Sequence, residues 1–281
     1  MRSSELPTCF LFDNGSLRAA STLNLRAVAK SLERAIGAPV RAVSLLHSSG
    51  VAADDLGGEP AQLLKPALQG WLGENSRAEA VALPFFFGPS AALTDYVPER
   101  LGALAGKFPE SKIRLASWLV HPGEPDTRIA EALADATRRV VVEHVLARPK
   151  VVLVDHGSPQ QRVAVVRNHL GAQVTRLLGE EIAVLDVASM ERRPGPEYAF
   201  NDPLLATRLT TEPFDVGDVV LALQFLSPGR HAGTAGDIAQ ICEAARAERP
   251  KLRTWMTEPI GADERVIEVL AQRYREALAV R

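Results

Sequence analysis

Two histidines stand in turn-forming stretches of the second half of this 281-residue sequence. His156 lies in "VVLVDHGS", where an apolar run ends in a Gly-Ser turn. His231 lies in "QFLSPGRHAGTAGDI", where an apolar segment gives way to Pro-Gly, a basic pair and further glycines. A third stretch, "SMERRPGPEYAFNDPLL", places Glu191, Arg192 and Arg193 at the end of another apolar run. Neutral imidazoles are ligands for borderline divalent metals such as cobalt, nickel, iron or zinc. Two of them are too few for a closed structural zinc site, which takes four ligands. An open pair leaves positions for water or for a substrate's nitrogens. A neighbouring carboxylate could ligate in passage or accept protons, and arginines can clamp substrate carboxylates bidentately.

Each residue also has a plainer role open to it. A turn histidine often only bonds the backbone, "ERRPGP" reads equally as a solvated charged turn, and the Gly157–Ser158 pair suits a tight turn capping a helix. Other chemistries are disfavoured. No His-Glu-x-x-His pattern is present, so a metalloprotease lacks its signature. Ser158 neighbours His156, but a triad needs its base to arrive from elsewhere in space, and Gly-x-Ser-x-Gly is absent. No Gly-x-Gly-x-x-Gly or P-loop pattern follows any strand, so a Gly-rich phosphate cradle is a weak signal. The other histidines carry less: His144 and His169 fall in helical stretches, and His47 and His121 at strand ends of the first half.

Positioning these side chains requires a regular scaffold, and the sequence supplies one. Short apolar runs ("TCFLFDN", "VRAVSLL", "AVALPFFF", "RLASWLV", then "VVLVDHGS", "IAVLDVAS", "VVLALQFL", "LRTWM") alternate with helical patterns. "LNLRAVAKSLERAIG" puts Leu25, Val28, Ala29, Leu32 and Ile36 on one helical face, and "DTRIAEALADATRRVVVEHV" is similarly amphipathic. The last helix aligns Val266, Val269, Leu270, Tyr274 and Leu278. Eight strand–helix units predict parallel sheet.

The halves resemble each other, which predicts an internal duplication. "LFDNGSLRAA" lies over "LVDHGSPQQR" with Asn14 opposite His156, an offset of 142, and Asp95 lies opposite Asp237 at the same offset. "SWLVHPG" resembles "TWMTEPIG" after a small length adjustment. Pro89 then falls opposite His231, so the first copy carries neither imidazole. The expected fold class is α/β, two similar doubly wound domains with parallel sheets, spanning 1–148 and 149–281. A TIM barrel made of two half-barrels competes on size and unit count. Both architectures put ligands beyond the carboxyl ends of the strands.

Composition bounds the partners. With 32 basic and 34 acidic residues the net charge is −2, so no positive field invites nucleic acid. No run approaches the roughly 20 apolar residues of a membrane span. The N-terminal segment shows no apolar signal core. Cys9 and Cys242 fit neither a disulfide framework nor a metal spacing, which points to a reducing compartment and a cytoplasmic protein.

Together, "VVLVDHGS", "SMERRPGPEYAFNDPLL" and "LQFLSPGRHAGTAGDIAQI" resemble the sirohydrochlorin chelatases of the CbiX and SirB type. The strand-end "HGS" and the later Pro-Gly-x-His turn followed by "DI" fall here at His156, His231 and Asp237–Ile238. The likeness is close over the second half, while the first half looks like a degenerate copy with "DNGS" and "GPSAALTDYVP". The resemblance implies ATP-independent insertion of a divalent metal, cobalt or iron, into sirohydrochlorin or a related tetrapyrrole on the route to cobalamin or sirohaem. It implies His156 and His231 as metal-site and catalytic residues, and the catalytic base would be a histidine freed by metal transfer or Glu191. Ser158, Arg193, Gly229, Arg230 and Gly233 are the expected substrate-binding residues. The metal (Co2+ or Fe2+) enters as a substrate, with no tightly bound cofactor, and the partners expected are a tetrapyrrole, no nucleic acid and no membrane, in a monomer or homodimer. Asp155 stands where many relatives have glycine. The rival function is a non-catalytic carrier of tetrapyrrole or metal.

Overall fold

The computed structural model describes residues 6–75, 77–233 and 235–279. Two four-stranded, wholly parallel sheets account for all eight expected strands. The first has β1 (Thr8–Asp13), β2 (Val40–Ser44), β3 (Glu79–Pro84) and β4 (Lys112–Leu115) in the order β2-β1-β3-β4. The second has β5 (Lys150–Asp155), β6 (Val184–Ser189), β7 (Gly217–Leu223) and β8 (Leu252–Met256) in the order β6-β5-β7-β8. The open sheets dispose of the TIM-barrel alternative. Strand position follows from composition: β1 (TCFLFD), β3, β5 (KVVLVD) and β7 are continuous apolar runs, buried on both faces, and lie centrally. The flanking strands are half exposed and take the edges.

The helices are α1 (Ala19–Ile36), α2 (Leu64–Glu74), α3 (Val97–Lys107), α4 (Arg128–Glu143), α5 (Gln161–Leu178), α6 (Leu205–Leu209), α7 (Asp237–Glu248) and α8 (Glu264–Ala279). The first sheet's Phe10, Phe12, Ala80 and Ala82 pack against α2 and α3 through Leu68, Trp71, Val97 and Leu101. Its other face receives α1 and α8. The second sheet repeats this, with Val152, Val154, Val219 and Leu221 against α6 and α7, and α5 and α4 over the other face. Each sheet is therefore covered on both sides, the doubly wound arrangement.

The packing corrects the division at residue 148. The two compact units are Met1–Leu119 with Glu264–Arg281, and Val120–Asp263. Each repeat's final helix covers the other repeat's sheet. Helix α8 is bound to the first unit by Tyr274 Oη donating to Pro7 O (2.6 Å), Arg273 Nε to Trp118 O (3.0 Å) and an Arg275 guanidinium N–H to Ala35 O (2.9 Å). Helix α4 is bound within the second unit by Arg138, which pairs with Glu181 at 2.7 Å and donates to Leu177 O. Gln173 of α5 donates to Asp126 O just before α4 (3.0 Å). Amphipathicity marks a helix as needing a sheet without naming which one.

The register also refines the repeat. Thr8 of β1 pairs with Ala80, and its counterpart Lys150 of β5 pairs with Val219, so the third strands are related by 139 residues and not 142. The offset of 142 therefore fails in the third strands, and Pro89, just beyond β3, does not fall opposite His231 in that register. Ala116 N–H bonds Ala82 O as Thr257 N–H bonds Leu221 O, so Trp118 is not the counterpart of Trp255. Short insertions between strands shifted the alignment.

Candidate metal-handling site

In the second unit the chain runs from β5 to β6 on one side and then crosses to β7 on the other, so the carboxyl ends of β5 and β7 form the switch point where open α/β sheets bind ligands. His156 follows β5 directly, and His231 lies in the loop between β7 and α7. Their rings meet edge to face with centroids 4.6 Å apart. The structure thus brings together the two imidazoles singled out in the sequence.

The ladder between β5 and β6 continues past both strands: Met190 N–H donates to Asp155 O (2.8 Å) and Glu191 N–H to His156 O (3.2 Å). This sets Glu191 beside His156, with Glu191 Oε1 3.6 Å from His156 Nε2. Gly157 makes the approach possible. Its φ is +90°, and a Cβ there would lie 1.9 Å from Glu191 O. Ser158 has a scaffolding role: its Oγ accepts the Gln160 N–H (3.1 Å) at the start of α5. Asn201, fully buried, accepts from Ser158 N–H (2.9 Å) and donates to Ser158 O (3.0 Å).

The His231 loop is held by its own backbone. Gly229 N–H donates to Ala232 O (3.0 Å), and the Arg230 and His231 carbonyls accept the first amides of α7, from Asp237 and Ile238. The demanding glycine is Gly236, where a Cβ would lie 2.5 Å from His231 O, whereas one on Gly233 would meet nothing closer than 3.7 Å. Thr234, in the same loop, lies outside the described residues. His231 Nδ1 sits 2.7 Å from Asp237 Oδ2. An ionised carboxylate only accepts, so Nδ1 carries the proton. His156 Nδ1 faces the Gly157 carbonyl at 3.1 Å and is a donor by the same reasoning. In the neutral form of each ring the unprotonated nitrogen is then Nε2, the atom available to a metal.

The basic residues divide. Arg193 is exposed and, among the described residues, forms no ion pair. Arg230 lies 3.3 Å from Asp237 Oδ2, so its charge is partly committed. Arg192 holds Asp202 (2.9 Å) and the Gly195 carbonyl (2.8 Å) and serves the loop itself. Among the described residues no group of three or more His, Cys, Asp and Glu side chains forms a metal-holding cluster.

Beneath the His156 turn lies a buried network. Asp155 Oδ1 accepts from Ser189 Oγ (2.6 Å) and from Gly157 N–H (3.1 Å). Arg167 of α5, 1% exposed along its side chain, stands 3.8 Å from Asp155 Oδ1. Burial pushes the Asp155 carboxyl above its ordinary range, opposed by the Arg167 charge and the Ser189 hydroxyl. The first unit repeats this backbone without the chemistry: Gly15 has φ +89° and a Cβ there would lie 1.7 Å from Leu46 O, but Asn14 and Leu46 occupy the places of His156 and Glu191.

Comparison with known proteins places the chain beside others of the same fold. Residues 150–277 match the CbiX family. The fold is similar to SirB from Bacillus subtilis with Fe3+ (TM-score 0.68, 16% identity, 98% of this chain and 96% of that one). It is also similar to SirB from Bacillus subtilis subspecies spizizenii in complex with cobalt (0.69, 13%, 97% and 95%). A third likeness is to CbiX, the terminal enzyme for biosynthesis of siroheme in denitrifying bacteria (0.59, 15%, 98% and 100%). No curated protein sequence matches the chain. Residues 150–277 thus match the CbiX family, and the chain as a whole has the fold of SirB and CbiX.

Proposed function

We propose that this protein inserts a divalent metal, cobalt or iron, into sirohydrochlorin or a related tetrapyrrole without ATP, in cobalamin or sirohaem biosynthesis. The observation that carries this reading is the pair of accessible imidazoles, from two separate loops, with centroids 4.6 Å apart. His156 and His231 bind the incoming metal through Nε2. Two neutral nitrogen ligands hold it weakly enough for transfer, because its remaining positions stay with water and exchange readily. Exposed Arg193 and the outer face of Arg230 pair with the macrocycle's carboxylates, and the Ser158, Gly229 and Gly233 backbone lines the approach. Binding at these peripheral groups supplies the energy that bends the ring and turns a pyrrole lone pair toward the metal. Glu191 accepts a departing pyrrole proton and shares it with His156 once that imidazole is free of metal. Acidification should slow the reaction, because an imidazolium cannot ligate.

The test is to mix protein, sirohydrochlorin and cobalt(II) and follow the visible spectrum against the uncatalysed rate. Acceleration that disappears in both His156→Ala and His231→Ala supports the reading. Spectral binding without acceleration would make the protein a carrier instead. Wild-type turnover in either variant would overturn the ligand assignment.

A further inference from the structure

The internal repeat contains its own control for Arg167. Helices α1 and α5 begin at equivalent positions, Ala19 and Gln161, so Leu25 and Arg26 of α1 correspond to Arg167 and Asn168 of α5. In the first unit Arg26 reaches from the surface to the carbonyls of Leu56 (2.9 Å), Glu59 (2.7 Å) and Pro60 (3.2 Å), tying down the loop that follows β2. In the second unit Arg167 does the same from inside, donating to Phe200 O (3.1 Å) and Asn201 O (3.0 Å) in the loop that follows β6. Arg167 also has an arm that Arg26 lacks. Its Nη1 donates to Ser189 Oγ at 2.5 Å, and Ser189 Oγ donates in turn to Asp155 Oδ1.

Through that arm one guanidinium joins three pieces of chain. Asp155 directly precedes His156, Ser189 ends the strand that leads to Glu191, and Asn201 holds both backbone groups of Ser158. We propose that Arg167 is a positioning residue for metal transfer: it locks the ends of β5 and β6 and the following loop together so that His156 keeps its place against His231 and Glu191. Building the turn does not require it, because the first unit forms the same turn, with Leu46 N–H bonded to Asn14 O at 3.1 Å, over a leucine at this position. The inner arm occurs in the unit that carries the imidazole pair and the carboxylate. This inference rests on the chelatase reading given above.

The decisive variant gives α5 the Leu-Arg pair of α1: Arg167→Leu combined with Asn168→Arg. It keeps a surface tie to the loop and removes the interior arm. The folded protein should lose about tenfold in kcat for cobalt insertion, the size typical of groups supporting a ligand, while KM for sirohydrochlorin stays nearly constant. Nuclear Overhauser contacts between the His156 and His231 rings, read on histidine-labelled protein, should weaken with it. Unchanged kcat and unchanged ring contacts would reduce Arg167 to a loop tie. Should the pair swap not fold, Arg167→Lys keeps a charge near Asp155 but not the planar fork, and wild-type kcat in that protein would equally overturn the proposal. A wild-type protein that inserts no cobalt at all would defeat the chelatase reading, whereas the ring contacts would still decide the role of Arg167.

Discussion

The carboxylate of Asp237 lies 2.7 Å from His231 Nδ1 and fixes which nitrogen of that ring faces outward. The two residues meet because the loop after β7 folds back on the first turn of α7, where the His231 carbonyl also accepts the Ile238 amide. Removing the carboxylate frees the tautomer. Asp237→Asn should therefore weaken cobalt binding by about ten- to a hundredfold, as loss of a histidine's carboxylate partner commonly does. Its melting temperature should move little, since Asp237 and His231 are both partly exposed. Titration calorimetry with cobalt(II) measures the first effect and thermal denaturation the second.

Glu191 should separate turnover from affinity. Its carboxylate stands 3.6 Å from His156 Nε2 and is 64% exposed, which suits proton exchange with solvent better than permanent ligation. Glu191→Gln should slow cobalt insertion by about a hundredfold, within the range for loss of a general base, with little change in cobalt affinity. A loss of affinity without a loss of kcat would recast Glu191 as a ligand.

Much of this was legible in the sequence, and the failures share a cause. All eight strands and the His156–His231 pair follow from apolar runs ending in turn residues, a local signal. The exchange of α4 and α8 between sheets was not legible, because an apolar stripe such as Val266, Val269 and Leu270 is silent about its partner. Nor was the role of Asp237 over Arg230, since sequence spacing does not say which of two nearby charges will reach an imidazole. Arg167 did leave a signal that went unused. It lies on the buried stripe of α5 with Ala164, Leu170, Gly171 and Val174, and a charge in that stripe demands a buried partner.

The helix exchange predicts which fragment folds. Residues 120–263 contain β5–β8, both faces' helices and the whole candidate site. A fragment of 149–281 lacks α4, bares the part of that face over β7 which α5 does not cover, and carries α8 with no sheet to cover. The first should unfold cooperatively on heating. The second should associate or lack a cooperative transition, read by circular dichroism and analytical ultracentrifugation.

Asp13 should make the first unit less stable as pH rises. It occupies the place of Asp155 but has Leu25 where α5 has Arg167, and burial raises its carboxyl to about 6 from the ordinary 3.8. Below 3.8 the carboxyl is neutral in both folded and unfolded chains and carries no ionisation penalty. Between 3.8 and about 6 the unfolded chain ionises first, so stability is progressively lost. Above about 6 the loss is complete, on the order of 1–3 kcal/mol from a shift of this size. Asp13→Asn should therefore raise the denaturation midpoint at pH 8 and leave it unchanged at pH 3.5, a difference that urea titration at the two pH values would measure.

The two loop glycines should behave oppositely. Alanine at Gly236 would push a methyl to 2.5 Å from the His231 carbonyl, and backbone must move to relieve it. The displaced group belongs to one of the two paired rings, so Gly236→Ala should lower cobalt insertion by at least about tenfold, as loss of support for a ligand does. At Gly233 the nearest atom is the Gly229 carbonyl at 3.7 Å, ordinary contact. Gly233→Ala should therefore leave the His231 loop and its cobalt affinity unchanged, and any loss of insertion rate there would come from the tetrapyrrole meeting the added methyl. Side-by-side insertion rates give three outcomes. Loss only at Gly236 locates the constraint in the loop, loss at both brings the substrate to Gly233, and loss at neither would mean that the His231 loop yields without disturbing the imidazole.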